Sequence, residues 1–60
     1  MRRTDIEERL TELGWTSSGE LSGKRHTIWR RRGTTRIITV PTEDLINNQT
    51  AERLLEEAER

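Results

Sequence analysis

The sequence predicts an α+β domain of the order α-β-β-β-α, in which a three-stranded antiparallel sheet carries two helices on one face. Two observations lead to this prediction: apolar residues recur at helical spacing near both ends of the chain, and strand-forming residues fill its middle. Both helices can bury their apolar stripes against the same sheet face, which leaves the other face open to solvent or a ligand. The 60 residues are expected to form one domain, 1–60.

The segment TDIEERLTELG predicts the first helix. Thr4 suits the N-cap, and Glu7 three residues later completes a capping box. Gly14 suits the left-handed position just past the end of the helix, and Trp15 after it can fold back on the last turn. Core packing is the favoured role of Trp15. An apolar stripe on one face is formed by Ile6, Leu10 and Leu13.

Three segments predict the strands. WTSSGELSG is the weakest, because Ser and Gly interrupt it. HTIWRRR is better, since Thr, Ile and Trp fit a pleated surface. TRIITVP is the strongest, with β-branched residues almost throughout and a stop at Pro41. Gly33-Thr34 is the predicted two-residue hairpin turn between the second and third strands.

The segment QTAERLLEEAER predicts the second helix. Asn47 or Asn48 can cap it by accepting a hydrogen bond from a backbone N–H of the first turn. Its apolar stripe consists of Ala51, Leu54, Leu55 and Ala58. Glutamates occupy the opposite, solvated face.

Composition limits the function classes. Apolar residues make up 28% of the chain and charged residues 37%, so the core is small and stabilisation by a partner or by self-association is expected. The absence of cysteine excludes disulfides and thiolate ligands. With a single histidine and no cysteine a zinc site is not expected, and no cofactor is predicted. We expect a cytoplasmic protein with neither a membrane span nor a secretion signal.

Positive charge is concentrated in the centre of a chain whose net charge is zero. Between Leu21 and Thr42 there are six Lys or Arg residues and no Asp or Glu, while the acids are predicted on helix surfaces away from this basic segment. One interpretation is that these cations contact phosphates, and the alternative is that strand arginines only keep a sheet edge soluble. The candidate phosphate contacts are Lys24, Arg25, Arg30, Arg31, Arg32 and Arg36.

Strand alternation distributes the central residues over two faces. Arg30 and Arg32 share a face with His26, and Arg31 shares the other with Trp29. If Trp29 points into the core, His26 lies on the open face, and we favour this assignment because an indole is a poor exposed residue. The alternative is that Trp29 stacks on RNA bases.

The order of features resembles the HicA-type toxins, which are small ribonucleases with the α-β-β-β-α order and the layout of a double-stranded RNA-binding domain. In that family a histidine is followed three residues later by an aromatic, then by a β-branched strand ending in Val-Pro and a helix opened by Thr. The matching positions are His26, Trp29, Val40-Pro41 and Thr50. Lys24-Arg25 stand where the family usually has Gly-Ser or Gly-Gly.

The resemblance implies that His26 is the catalytic group of a metal-independent mRNA interferase, and that a HicB-like protein antitoxin neutralises it. Imidazole exchanges protons near neutral pH, and RNA carries its own nucleophile in the 2′-hydroxyl. Cations near the phosphorus can stabilise the developing charge. The alternatives are a non-catalytic RNA- or DNA-binding module and an interaction protein whose basic strand docks an acidic partner.

Overall fold

The predicted element order is confirmed by a computed structural model, which describes residues 1–23 and 25–60. The elements are α1 (Arg3–Glu12), β1 (Trp15–Ser22), β2 (His26–Arg31), β3 (Ile37–Pro41) and α2 (Asn48–Glu59). The three strands form one antiparallel sheet in the order β1-β2-β3. In the part of the chain that the structure describes, no helix is long and apolar enough to cross a membrane.

The hydrophobic core lies between the two helices and one face of the sheet. Trp29 of β2 and Ile38 of β3 are register partners and are both buried, and Val40 lies buried on the same face. The helices contribute their predicted stripes to this core, with Ile6, Leu10, Ala51 and Ala58 buried and Leu13, Leu54 and Leu55 packed against them. Both helices therefore cover the same sheet face, as the periodicity predicts.

Trp15 joins the start of the sheet to the end of the second helix. Its side chain is fully buried, and its indole Nε1 donates a hydrogen bond to the carbonyl oxygen of Ala58 at 3.1 Å. Gly14 precedes it with a φ of +93°, a left-handed conformation that glycine adopts at little cost. The predicted helix end and the core position of Trp15 are both confirmed.

The start of α1 differs from the prediction. The N-cap residue is Arg2 rather than Thr4, and no side chain caps the helix. Instead, the backbone N–H of Arg3 donates to the carbonyl oxygen of Asp44 at 2.9 Å, and Arg2 forms an antiparallel bridge with Leu45. The connector before α2 thus supplies a partner for an N–H that the helix itself leaves unpaired.

The start of α2 agrees with the prediction. Asn47 is the N-cap, and its side-chain oxygen accepts a hydrogen bond from the backbone N–H of Gln49 at 2.8 Å. An asparagine at this position satisfies one of the first-turn donors that have no partner within the helix.

The hairpin between β2 and β3 is longer than predicted. Strand β2 ends at Arg31 and β3 begins at Ile37, so the predicted two-residue turn at Gly33-Thr34 was wrong. The backbone N–H of Thr34 donates to the carbonyl oxygen of Arg31 at 3.2 Å, which centres the turn on Arg32 and Gly33. Gly33 has a φ of +85°, and a positive φ at the third residue of a turn favours glycine.

Candidate nucleic-acid interface

The sheet face opposite the helices, here called the open face, carries the candidate histidine. His26, Ile28 and Arg30 of β2 alternate with the residues that point to the core. Their register partners on β3 are Pro41, Thr39 and Ile37. His26 and Arg30 are exposed, so a ligand that lies across the open face can reach both side chains.

Trp29 belongs to the core. Its side chain is buried, and its indole Nε1 donates to the hydroxyl oxygen of Thr27 at 3.2 Å. Of the two roles considered for this residue, core packing is the one found, and in this conformation its ring is not presented to a base. Its inward orientation is also what directs its neighbours Ile28 and Arg30 to the open face.

The backbone around His26 is held on both sides. His26 is the first residue of β2 and is paired with Ser22 of β1 and with Pro41 of β3. Beside it, the carbonyl oxygen of Arg25 accepts a hydrogen bond from the backbone N–H of Thr42 at 2.9 Å. The imidazole is therefore an exposed side chain on a fixed backbone position in the middle strand.

The candidate cations lie at different distances from His26. Arg25 is its exposed neighbour in the turn before β2, whereas Arg30 is four residues further along β2, about 13 Å away at roughly 3.3 Å per residue. The strand ends at Arg31, so the prediction that Arg32 shares the face of His26 by strand alternation does not apply to its turn position. Lys24 lies outside the described residues.

Arg31 and Arg36 contact the end of α2 instead of the open face. The Arg31 guanidinium donates to the carbonyl oxygen of Arg60 at 3.3 Å. The Arg36 guanidinium donates to the same oxygen at 2.7 Å and to the carbonyl oxygen of Glu57 at 2.5 Å, and lies 5.7 Å from the ring centroid of Trp15. Cations that bind the last carbonyls of a helix stabilise its C-terminal end.

Arg36→Ala is therefore expected to lower stability more than nucleic-acid affinity. Loss of two exposed charge-assisted hydrogen bonds and of the cation–π contact with Trp15 costs about 1–2 kcal/mol. Each kcal/mol lowers Tm by roughly 4–8 °C in a domain of this size. Thermal unfolding of Arg36→Ala beside Arg53→Ala, an exposed arginine of α2, measures the difference. Weaker RNA binding at an unchanged Tm would instead assign Arg36 to RNA.

Glu20 is a residue of the open face that the sequence interpretation missed. Its carboxylate Oε2 lies 3.6 Å from Nη2 of Arg30, so the expectation that the acids lie away from the basic strand was wrong for this residue. Glu20 directly precedes the acid-free segment in the sequence. In the sequence, only the Ser and Gly residues of the SSGE segment indicate that the register between β1 and β2 shifts there.

A bulge in β1 brings Glu20 to this position. The register runs from Ser17 opposite Trp29 to Leu21 opposite Thr27, so β1 has three residues where β2 has one, and two residues of β1 are extra. Gly19 sits within the bulge with a φ of +77°. Side-chain hydrogen bonds within β1 and to β2 keep the bulge in shape.

Residues 1–23 and 25–60 enclose no cavity, and among them no group of three or more His, Asp or Glu side chains converges as metal ligands would. Comparison with protein-family models, with curated proteins and with solved structures finds no match for this chain.

Proposed function

We propose that the chain is an mRNA-cleaving toxin of a toxin-antitoxin system, a metal-independent endoribonuclease in which His26 is the general acid/base. The observation that supports this best is the exposure of His26 on the open face of the sheet, with Arg25 beside it and Arg30 on the same face. The resemblance to HicA toxins supplies the toxin role and a HicB-like protein antitoxin as partner. Messenger RNA as the substrate implies a cytoplasmic location.

The chemistry needs only groups that the chain and the RNA provide. His26 takes the proton of a 2′-hydroxyl, whose oxygen then attacks the neighbouring phosphorus. The bond from phosphorus to the 5′-oxygen breaks, the protonated His26 gives its proton to that oxygen, and the products are a 2′,3′-cyclic phosphate and a 5′-hydroxyl. Arg25, the nearest described cation along the chain, stabilises the charge on the phosphorane oxygens. Arg30 contacts a phosphate further along the strand.

A non-catalytic RNA-binding module is the second candidate, and the lack of a cleft favours it. Enzymes commonly bind the reacting group in a concave site, whereas the described residues form no pocket on the open face. It presents Ile28 half-buried and Ile37 at 49% exposure beside Arg30. In this alternative the arginines neutralise phosphates and His26 has no chemical role.

The two candidates differ in a direct assay. The purified chain incubated with messenger RNA in excess EDTA is expected to cleave it, because no step uses a metal ion. Its expression is expected to stop growth, and co-expression of the protein encoded by the neighbouring gene is expected to restore growth. Intact RNA together with normal growth would reject the toxin proposal and leave the binding module.

Binding to the open face is expected to weaken as salt rises. Each phosphate contact on a single strand contributes about −0.7 to the slope of log K against log salt. Arg30→Ala on the open face and Arg32→Ala in the adjoining turn, where Arg32 is exposed, should each make the slope shallower by about that amount. The measurement is titration of a 2′-O-methyl RNA, which cannot be cleaved, at several salt concentrations. Arg53→Ala on α2 is the control for net charge, and slopes equal to the control would assign Arg30 and Arg32 to solubility.

A further inference from the structure

We propose that Glu20 is an internal competitor of RNA, which occupies Arg30 in the free protein and lowers the affinity of the open face. The inference rests on the proposed binding of RNA phosphates to that face, and adds a residue that sets its strength. The charge of the open face is then smaller than the acid-free segment around Arg30 suggests, because Glu20 comes from the neighbouring strand.

The contact itself is of a kind that a phosphate can replace. Arg30 Nη2 and Glu20 Oε2 are 3.6 Å apart, and the two side chains are 53% and 61% exposed. Ion pairs this exposed are weak and are screened by salt. A phosphate can accept two parallel hydrogen bonds from a guanidinium, so RNA exchanges for the carboxylate at Arg30 without any change in the backbone.

The bulge of β1 determines which residue of β2 the carboxylate meets. Trp15 is opposite Arg31 at the start of the strand pair; if that register continued unbroken, Glu20 would lie directly opposite His26. The two extra residues move Ser22 to the position opposite His26, and the Glu20 carboxylate lies against Arg30 instead.

The side chains of the bulge hold this arrangement. The Ser18 hydroxyl donates to the carbonyl oxygen of Ile28 at 3.0 Å and accepts from the backbone N–H of Glu20 at 3.3 Å. Because Ser18 ties the backbone of Glu20 to β2, the carboxylate stays within reach of Arg30 without being buried.

The consequence is a measurable gain when the carboxylate is removed. Glu20→Gln keeps the size of the side chain and leaves Arg30 without its competitor. The affinity for single-stranded RNA is then expected to rise about two- to fivefold at low salt, the range that exposed ion pairs support. The gain should shrink as salt rises, because salt screens the pair in the wild-type protein.

The experiment is a double-mutant cycle read by binding of a 2′-O-methyl RNA oligonucleotide, so that cleavage does not enter. The proteins are the wild type, Glu20→Gln, Arg30→Ala and the double variant. Glu8→Gln, which removes the same charge from an exposed position of α1, is the matched control. We expect Glu20→Gln to raise the RNA affinity more than Glu8→Gln does when Arg30 is present. In the Arg30→Ala background, Glu20→Gln should raise the affinity only as much as Glu8→Gln does in the wild type.

The other outcomes separate the competitor role of Glu20, its action through Arg30, and the RNA surface itself. If Arg30→Ala weakens binding but Glu20→Gln behaves as Glu8→Gln, the open face binds RNA and the competitor role of Glu20 is wrong. If Glu20→Gln tightens binding equally with and without Arg30, Glu20 repels RNA directly and does not act through Arg30. If the wild type and Arg30→Ala both fail to bind, the proposed RNA surface is wrong, and the role of Glu20 with it.

Discussion

His26→Ala is expected to lower the rate of RNA cleavage by roughly 10² to 10⁴, the usual contribution of general acid–base catalysis. The fold should survive, because the side chain is exposed at the first position of β2. Most of the RNA affinity should also survive, since Arg25 and Arg30 remain. The measurements are cleavage rates in EDTA, binding of 2′-O-methyl RNA and the Tm of the variant.

Two further variants separate proton transfer from other roles of the same position. His26→Gln keeps a hydrogen-bonding side chain that does not exchange a proton near neutral pH, and should be as inactive as His26→Ala. Ser22→Ala alters the exposed register partner of His26 and should stay within a few-fold of the wild-type rate. A His26→Ala protein that cleaves at the wild-type rate would reduce His26 to a surface residue and favour the binding module.

Trp15→Ala is expected to remove a large part of the free energy of unfolding. Truncation of a fully buried Trp costs about 3–5 kcal/mol, while a domain of this size has a total stability of roughly 3–9 kcal/mol. Trp15 is fully buried and its indole is hydrogen-bonded to Ala58, so the change removes packing at the junction of both helices with the sheet. Thermal and urea unfolding followed by circular dichroism should show a Tm and a urea midpoint far below those of the wild type.

Trp15→Phe keeps the prediction testable in a folded protein. It retains most of the ring but removes the donor to the Ala58 carbonyl, which is expected to cost about 1–3 kcal/mol. Ser22→Ala, an exposed change in the same strand, should stay within about 0.5 kcal/mol of the wild type. Urea titrations measure all three variants, and a Trp15→Ala protein as stable as Ser22→Ala would place Trp15 outside the core.

The architecture was predictable because it depends on short-range patterns. The apolar stripes around Leu10 and Ala51 are both buried against the same face of the sheet. The β-branched segment before Pro41 is suited to a strand. Period-two alternation likewise predicts that His26, Ile28 and Arg30 share a face once Trp29 points inward, and the structure has that arrangement. In these cases the spacing of apolar residues along the chain is sufficient, since each helix or strand buries its apolar residues in only one orientation.

Tertiary structure decided the partners of polar groups that pair over long range, such as the Arg3 N–H and the Arg36 guanidinium, whereas the Asn47 cap of α2 is a local contact. Thr4 has the chemistry of an N-cap, yet the helix begins one residue before it because Arg3 finds a carbonyl of the distant connector at Asp44. An arginine of the basic segment can bind a phosphate or the last carbonyls of a helix equally well. Arg36 donates to the carbonyl oxygen of Glu57 in α2 only because the fold brings the two residues together.

The position of Glu20 depends on the same kind of information. Its neighbour across the sheet is set by the register after the β1 bulge, and a shift of two residues exchanges His26 for Arg30 as the group that its carboxylate faces. The sequence by itself determined the helices, the strands and the face of His26, because these follow from the periodicity of burial. The partners of Arg36 and Glu20 were decided by helix packing and strand register, since those contacts join residues that no local pattern relates.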